Sequence, residues 1–300
     1  MNDQARILGA LAAEQRTQRR PSRARTVAIA GGTAGVGATT LAANLAVALG
    51  QAGTRVVLVD AGQGAVRAAR LLGLTPRQTL QHVLDGVATL PGITLAGPYG
   101  ARVVPATAGL DDLGNLSPWQ EERLSAGFAE IDQEADLVLL DAGSGSAPGM
   151  LERLAIAPEI VVVATPQADA TTGAYALIKR LAQRGDAPRI HVLVNRIYAR
   201  YEGTATATRI REVAERFLGI RVDSLGFVPE APEVERAGQE GQAFVAAAPL
   251  AAASRAVAAI AQQLGRAEAG RPSAPLSGAL RHLSMLRAQR QAPALAPGTS

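Results

Sequence analysis

The sequence contains no cysteine. That excludes disulfides and thiolate-ligated metal sites. Histidine does not fill the gap: His82, His191 and His282 are dispersed, near no paired carboxylates, and read as surface or partly packed residues. Aromatics make up 3% of the chain, so any core is built from Leu, Val, Ile and Ala, which the 48% apolar content supplies. No strongly apolar run reaches the roughly 18 residues of a spanning helix. The longest apolar stretch, Phe244 to Leu264, is alanine-rich and carries Arg255 and Gln262. The opening residues, M-N-D-Q-A, show no signal-peptide core. The expectation is a cytoplasmic protein. Lysine is nearly absent: Lys179 stands alone, so arginine supplies 29 of the 30 basic residues. The net charge of +4 is compatible with nucleic acid, an anionic membrane or simple solubility.

What is present organises itself around Val27 to Asn44, V-A-I-A-G-G-T-A-G-V-G-A-T-T-L-A-A-N. Val27 to Ala30 reads as a buried strand, Gly31 to Gly37 as a glycine-rich turn, and Leu41, Leu45 and Leu49 as one face of a helix. Strand, glycine loop and helix frame a phosphate-binding loop. Glycines let successive backbone N–H groups converge on phosphate oxygens, and the helix N-terminus points at the same anion. Thr39 stands where a hydroxyl joins a magnesium shell, but the lysine position holds Ala38. A bare glycine loop can also be an ordinary strand-to-helix turn.

The loop resembles that of the MinD/ParA family, G-K-G-G-V-G-K-[ST]-[ST], placed on Gly32, Thr33, Gly35, Val36, Gly37, Ala38, Thr39 and Thr40. Both family lysines are replaced. In that family the one at Thr33 reaches a partner's nucleotide across a dimer, and the one at Ala38 neutralises the β and γ phosphates. One lost charge-assisted contact of this kind costs roughly 1.5–3 kcal/mol.

Further segments narrow the resemblance to the flagellar FlhG (FleN) branch. Asp3, Gln4, Ala5 and Leu8 match its D-Q-A-x-x-L motif, on an expected helix over residues 1–15 with Ile7, Leu8 and Leu11 as its apolar stripe. An acid-free arginine run, residues 16–25, reads as a linker. The resemblance implies that this helix stimulates the GTPase of FlhF, with Gln4 acting in trans. Thr54 to Asp60 is a strand whose Asp60 matches the first acid of a family D-A-D; the second is Gly62. Leu71 to Gly86 resembles a segment of that branch, L-G-L-x-P-x-x-[NT]-L-x-x-V-L-x-G, and reads equally as a packing helix. Arg102 to Pro105 reads as a strand, followed by a loop holding Asp111, Asp112 and Trp119. Asp136 to Asp141 is a strand whose terminal Asp141 either holds magnesium with Thr39 or caps the next helix. Ala174 to Lys179, A-Y-A-L-I-K, is identical to the FlhG pattern, while Gln167 and Gly173 replace its flanking acids. After a strand at Ile190 to Asn195, Asn195 matches the asparagine that reads the adenine edge. Val222 to Val228 leads into Pro229 and Glu230, the turn near the adenine, where Ala231 replaces a common aspartate.

From Arg266 onward Ala, Gly, Pro and Ser dominate. Leu276, Leu280, Leu283 and Leu286 recur there at helical spacing beside arginines. Such a helix either lies on a membrane surface or packs on its own domain.

The expected architecture is α/β: one doubly wound, mostly parallel P-loop domain over residues 26–265, with an N-terminal helix and a C-terminal tail. Three functions compete. The first is an FlhG-like regulator of flagellar number or placement, a pseudo-ATPase acting on FlhF, with a flagellar transcription activator and weak peripheral membrane contact as further family partners. The second is an active ATPase that dimerises on ATP and Mg2+ (or holds ADP). The third is a ParA-like DNA-binding protein, for which only the arginine surplus speaks.

Overall fold

The computed structural model describes residues 24–62, 66–106, 110, 113–145, 149–184, 188–266 and 275–281. The expected helix over residues 1–15, with Gln4, and residues 16–23 of the expected linker lie outside these, as do Asp111, Asp112, His282, Leu283 and Leu286; Arg25, expected to end that linker, instead opens the first strand.

The chain begins with β1 (Arg25–Gly31), α1 (Ala38–Gln51), β2 (Val56–Asp60), α2 (Arg67–Leu71), α3 (Leu80–Leu84) and α4 (Leu90–Ile93). It continues through β3 (Leu95–Ala96), β4 (Arg102–Pro105), α5 (Pro118–Glu134), β5 (Leu137–Ser144), α6 (Met150–Ala155), β6 (Glu159–Ala164) and α7 (Ala168–Ala182). β7 (Arg189–Ile197), α8 (Arg200–Leu218), β8 (Val222–Pro229), α9 (Pro232–Gln239), α10 (Phe244–Ala247) and α11 (Ala252–Gly265) complete it. The strands form one eight-stranded sheet in the order β3-β4-β2-β5-β1-β6-β7-β8.

All pairs are parallel except β3 with β4. Every residue of β2 and β6 is buried, which is why these strands read as unbroken apolar runs: helices cover both faces of a parallel sheet. One core cluster joins the sheet to α3 to α8, the other to α1, α2 and α9 to α11. β1 sits at the switch point, where the chain has built one half of the sheet and starts the other. Ligands of open α/β sheets bind outside the strand carboxyl ends at that point, and the glycine loop follows β1 there.

Four expectations change. β3 is an added antiparallel edge strand; at two residues it leaves no periodicity to read. Trp119 is not in a loop. It is the second residue of α5, whose start is fixed by the reciprocal Ser117–Gln120 capping box and Pro118 at the first helical position. His191 is buried and pairs with a carboxylate, its Nε2 lying 3.0 Å from Glu159 Oε1. Arg25 joins the same carboxylate at 3.0 Å. Burial opposes charge on Glu159, but His191 and Arg25 hold its carboxyl down at about 2.

The fourth change concerns the tail. Residues 276–281 are helical, and Leu276 and Leu280 are 0% and 7% exposed, inside the cluster that holds Leu124, Phe128 and Ile131. The amides of Leu276 and Ser277 donate to the two carboxylate oxygens of buried Asp132, at 3.1 and 2.9 Å. These two leucines face the protein's own core, not a bilayer.

Candidate functional site

The glycine loop turns through two left-handed glycines, Gly35 at φ 82° and Gly37 at φ 90°. A Cβ on Gly37 would lie 2.4 Å from Asn195 Nδ2. That close approach lets the buried Asn195 amide donate to the Val36 carbonyl at 2.9 Å, tying the loop to the end of β7. Asn44 makes a second tie: its Oδ1 accepts the Val245 amide at 3.2 Å and its Nδ2 donates to the Thr40 carbonyl at 2.9 Å. Ala38 opens α1 and is buried.

On the other side the loop presses on α7. A Cβ on Gly32 would fall 2.2 Å from the Gly173 carbonyl, and one on Gly173 would fall 2.0 Å from Thr33 Oγ1. The Thr33 hydroxyl donates to the Asp169 carbonyl at 3.3 Å. Two departures from the family pattern, Thr33 and Gly173, therefore meet in one contact.

Asp60 and Asp141 are register partners at the ends of β2 and β5. Asp60 Oδ2 accepts the amides of Ala68 at 3.0 Å and Ala69 at 3.3 Å. Asp141 Oδ1 accepts the Gly143 amide at 3.0 Å, and the Thr39 hydroxyl bonds the same carboxylate. Asp141 Oδ2 is buried with no protein partner. A Cβ on Gly62 would lie 3.6 Å from it. Burial, then the charge of Asp141, pushes the Asp60 carboxyl up to about 7 against the two amides and Arg67. Burial also raises Asp141, against Thr39, the Gly143 amide, Arg67 and Arg153.

Two buried acids, one with an orphaned oxygen beside a threonine hydroxyl, suit a hard cation. Thr39 and Asp141 are the donors that would hold Mg2+, which takes one or two protein oxygens and completes its shell with water and phosphate. Among the described residues no group of three or more His, Cys, Asp or Glu could hold a metal alone. A bound magnesium would supply charge neutralisation to a polyphosphate.

Beside the loop lies an open cavity of about 470 Å³. It is lined by Gly37, Thr40 and Asn195 on one side and by Pro229, Glu230, Ala231, Val234 and Glu235 on the other. Arg196 takes a left-handed φ of 58° at its rim and its Nε lies 3.7 Å from Glu230 Oε2. Backbone strain in a non-glycine residue gathers at binding sites. The structure thus brings Gly37, Thr40, Asn195 and Pro229 to one cavity, with Thr39 and Asp141 together at its loop end. Arg67, Arg153, Asn44 and Arg196 escaped the sequence reading. Only Arg153 carried a signal, as one of two charges, with Glu152, inside the apolar stretch Met150 to Ala157.

The profile of the CbiA family, described as the CobQ/CobB/MinD/ParA nucleotide binding domain, matches residues 27–244. The chain belongs to this family. Its expected fold and family are both borne out. It is 35% identical over 238 residues to the antiactivator FleN of Pseudomonas aeruginosa, covering 79% of this chain and 85% of that one. The flagellum site-determining protein YlxH of Helicobacter pylori is 28% identical over 189 residues, 63% of this chain and 64% of that one. Among solved structures, the MinC:MinD cell division complex of Aquifex aeolicus superposes with a TM-score of 0.66 at 23% identity, covering 83% of this chain and 99% of that one. MinD from Pyrococcus horikoshii complexed with Mg-ADP superposes at 0.64, with 20% identity, over 80% and 96%. At these identities the structures speak for the fold alone.

Proposed function

We propose that this CbiA-family chain is a flagellar regulator of the FlhG (FleN) kind. Its nucleotide site no longer hydrolyses ATP, and its effector is the N-terminal segment acting on an FlhF-type GTPase. The observation that carries this reading is the 35% identity to FleN across most of both chains, joined to a loop in which Thr33 and Ala38 replace both lysines. Phosphoryl transfer is catalysed almost entirely by positioning and charge stabilisation. A loop without its cations loses the second. The glycine turn, Thr39, Asp141 and Asn195 still form a nucleotide-shaped site, so the loss weighs more on catalysis than on binding.

The effector role needs no nucleotide on this chain. Asp3 can cap a short helix, Gln4 project from its first turn, and Ile7, Leu8 and Leu11 enter a partner groove. A glutamine so presented orients an attacking water, as in many GTPases. The test measures FlhF GTP hydrolysis with the full chain, with Gln4→Ala, and with a version starting near Arg25. The full chain stimulates and the other two do not. Equal stimulation by the truncated version overturns the effector role. The retained acids support one alternative, an active ATPase. Steady ATP turnover that vanishes in Asp60→Ala would replace the pseudo-ATPase reading.

A further inference from the structure

A triphosphate entering this site meets two buried carboxylates and no loop lysine. Lys179, the single lysine, lies exposed on α7, beyond the Gly32–Gly173 contact. Arg196 stands at the far rim of the cavity beside Glu230. Two arginines act electrostatically on Asp141. Arg153 is 0% exposed, with its Nη2 3.4 Å from the Ala142 carbonyl of β5, so it is buried within the protein and out of reach of a ligand. Arg67 differs. It is exposed to solvent and heads α2, and the next two amides of α2 hold Asp60. Asp60 faces Asp141 across the β2–β5 register. Arg67 thus stands beside the acid pair, at the head of the helix whose amides hold Asp60, and its charge acts on both carboxylates.

We propose that Arg67 is a ligand-binding residue, supplying from α2 the cation that meets the terminal phosphate of a nucleoside triphosphate in place of the loop lysine. An arginine suits that place, because its planar fork pairs two phosphate oxygens at once. Approaching from the β2 side, it reaches the γ-phosphate end and not the β-phosphate cradle of the glycine loop. It therefore separates triphosphate from diphosphate. The inference rests on the reading of this loop as a nucleotide site, but not on the flagellar partner or on the absence of hydrolysis.

The test is calorimetric titration of the full chain, Arg67→Met and Arg67→Lys with ATP and with ADP, both with magnesium, plus ATP hydrolysis on the same samples. ATP affinity falls about ten- to a hundredfold in Arg67→Met, the weight of one charge-assisted contact. ADP affinity stays within about threefold, and Arg67→Lys recovers part of the loss. An equal fall for ATP and ADP, with a lowered melting temperature, assigns Arg67 a structural role and overturns the proposal. So does a wild-type chain that binds no ATP, an outcome that leaves the regulator reading standing. ATP turnover by the wild-type chain overturns the pseudo-ATPase reading and leaves the Arg67 assignment to the affinity ratios.

Discussion

Leu276→Ala separates the two readings of the tail by size. If the segment were a solvent- or lipid-facing helix, trimming one leucine would move the stability of the free protein by no more than about 0.5 kcal/mol. In the structure Leu276 is 0% exposed among core residues, and truncating a buried leucine costs about 2–5 kcal/mol. Because residues 276–281 are held mainly by one buried cluster, the two Asp132 bonds and Arg281 Nη1 to Ser125 Oγ at 3.0 Å, the segment can undock before the domain unfolds. That caps the loss near the docking energy, so the lower half of the range applies. At about 2–4 °C per kcal/mol for a domain of this size, the melting temperature falls by roughly 4–14 °C. Hydrogen exchange gives a second readout: the Leu276 and Ser277 amides are protected in the wild type and lose protection in the variant. A melting temperature unchanged within a degree, with both amides already exchanging freely in the wild type, would refute the docked tail.

Raising pH should destabilise the protein through Asp60. Its carboxyl sits at about 7 in the fold against an ordinary 3.8, so the folded chain keeps a proton that the unfolded chain releases. The stability tied to this group is full below about pH 4 and is lost as pH rises through 7, on the order of 4 kcal/mol. The melting temperature should drop from pH 5 to pH 8, and Asp60→Asn should reduce that drop, leaving the part that belongs to Asp141, which burial also raises. Glu159, held low, changes stability only in more acidic solution and does not disturb this window. Ala38→Lys should raise ATP affinity by about one to two decades, read by calorimetry; an unchanged affinity means the loop geometry and not its charge is at fault. Gly32→Ala should cost about 1–3 kcal/mol in chemical denaturation, because its Cβ would meet backbone at 2.2 Å, which cannot swing aside as a side chain can.

Parallel strands were legible because helices cover both faces, and a strand with no solvent face has no polar alternation to blur it. β2 and β6 are examples. The loop and the two strand-end acids were legible for a related reason: chemistry at a strand terminus is contiguous in sequence. What pairing brings together was not. His191 reads as an isolated histidine until β6 and β7 align it beside Glu159. Arg67 and Arg153 acquire meaning only once they flank Asp141. The tail shows the limit of periodicity. Leucines three to four residues apart predict an apolar face, but lipid and protein core are equally apolar, and only the buried Asp132 tells which one receives it. The start of α5 was in plain view, since S-P-W-Q carries both a cap and a first-turn proline.

The departures from the family pattern make sense as a set. Lysines are lost at Thr33 and Ala38, and acids at Gly62, Gln167 and Gly173. Removing cations alone would strand buried carboxylates, which is strongly destabilising. Losing the acid at buried Gly62 with them spares the buried pair a third like charge, whereas Gln167 lies exposed. A third carboxylate, carried on a Cβ at Gly62 that would itself lie 3.6 Å from the orphaned Asp141 oxygen, would have no counter-charge within the loop. The acids that remain also support the local backbone. Asp60 holds the α2 amides, and Asp141 holds the Gly143 amide and Thr39. Hydrolysis needs charge at the transferring phosphate, whereas a folded domain needs only that each buried charge be answered. Keeping Asp60 and Asp141 is therefore weak support for turnover, because the fold alone would retain them. Losing Lys at 38 carries more weight, because a glycine loop folds without it and only a bound polyphosphate misses it.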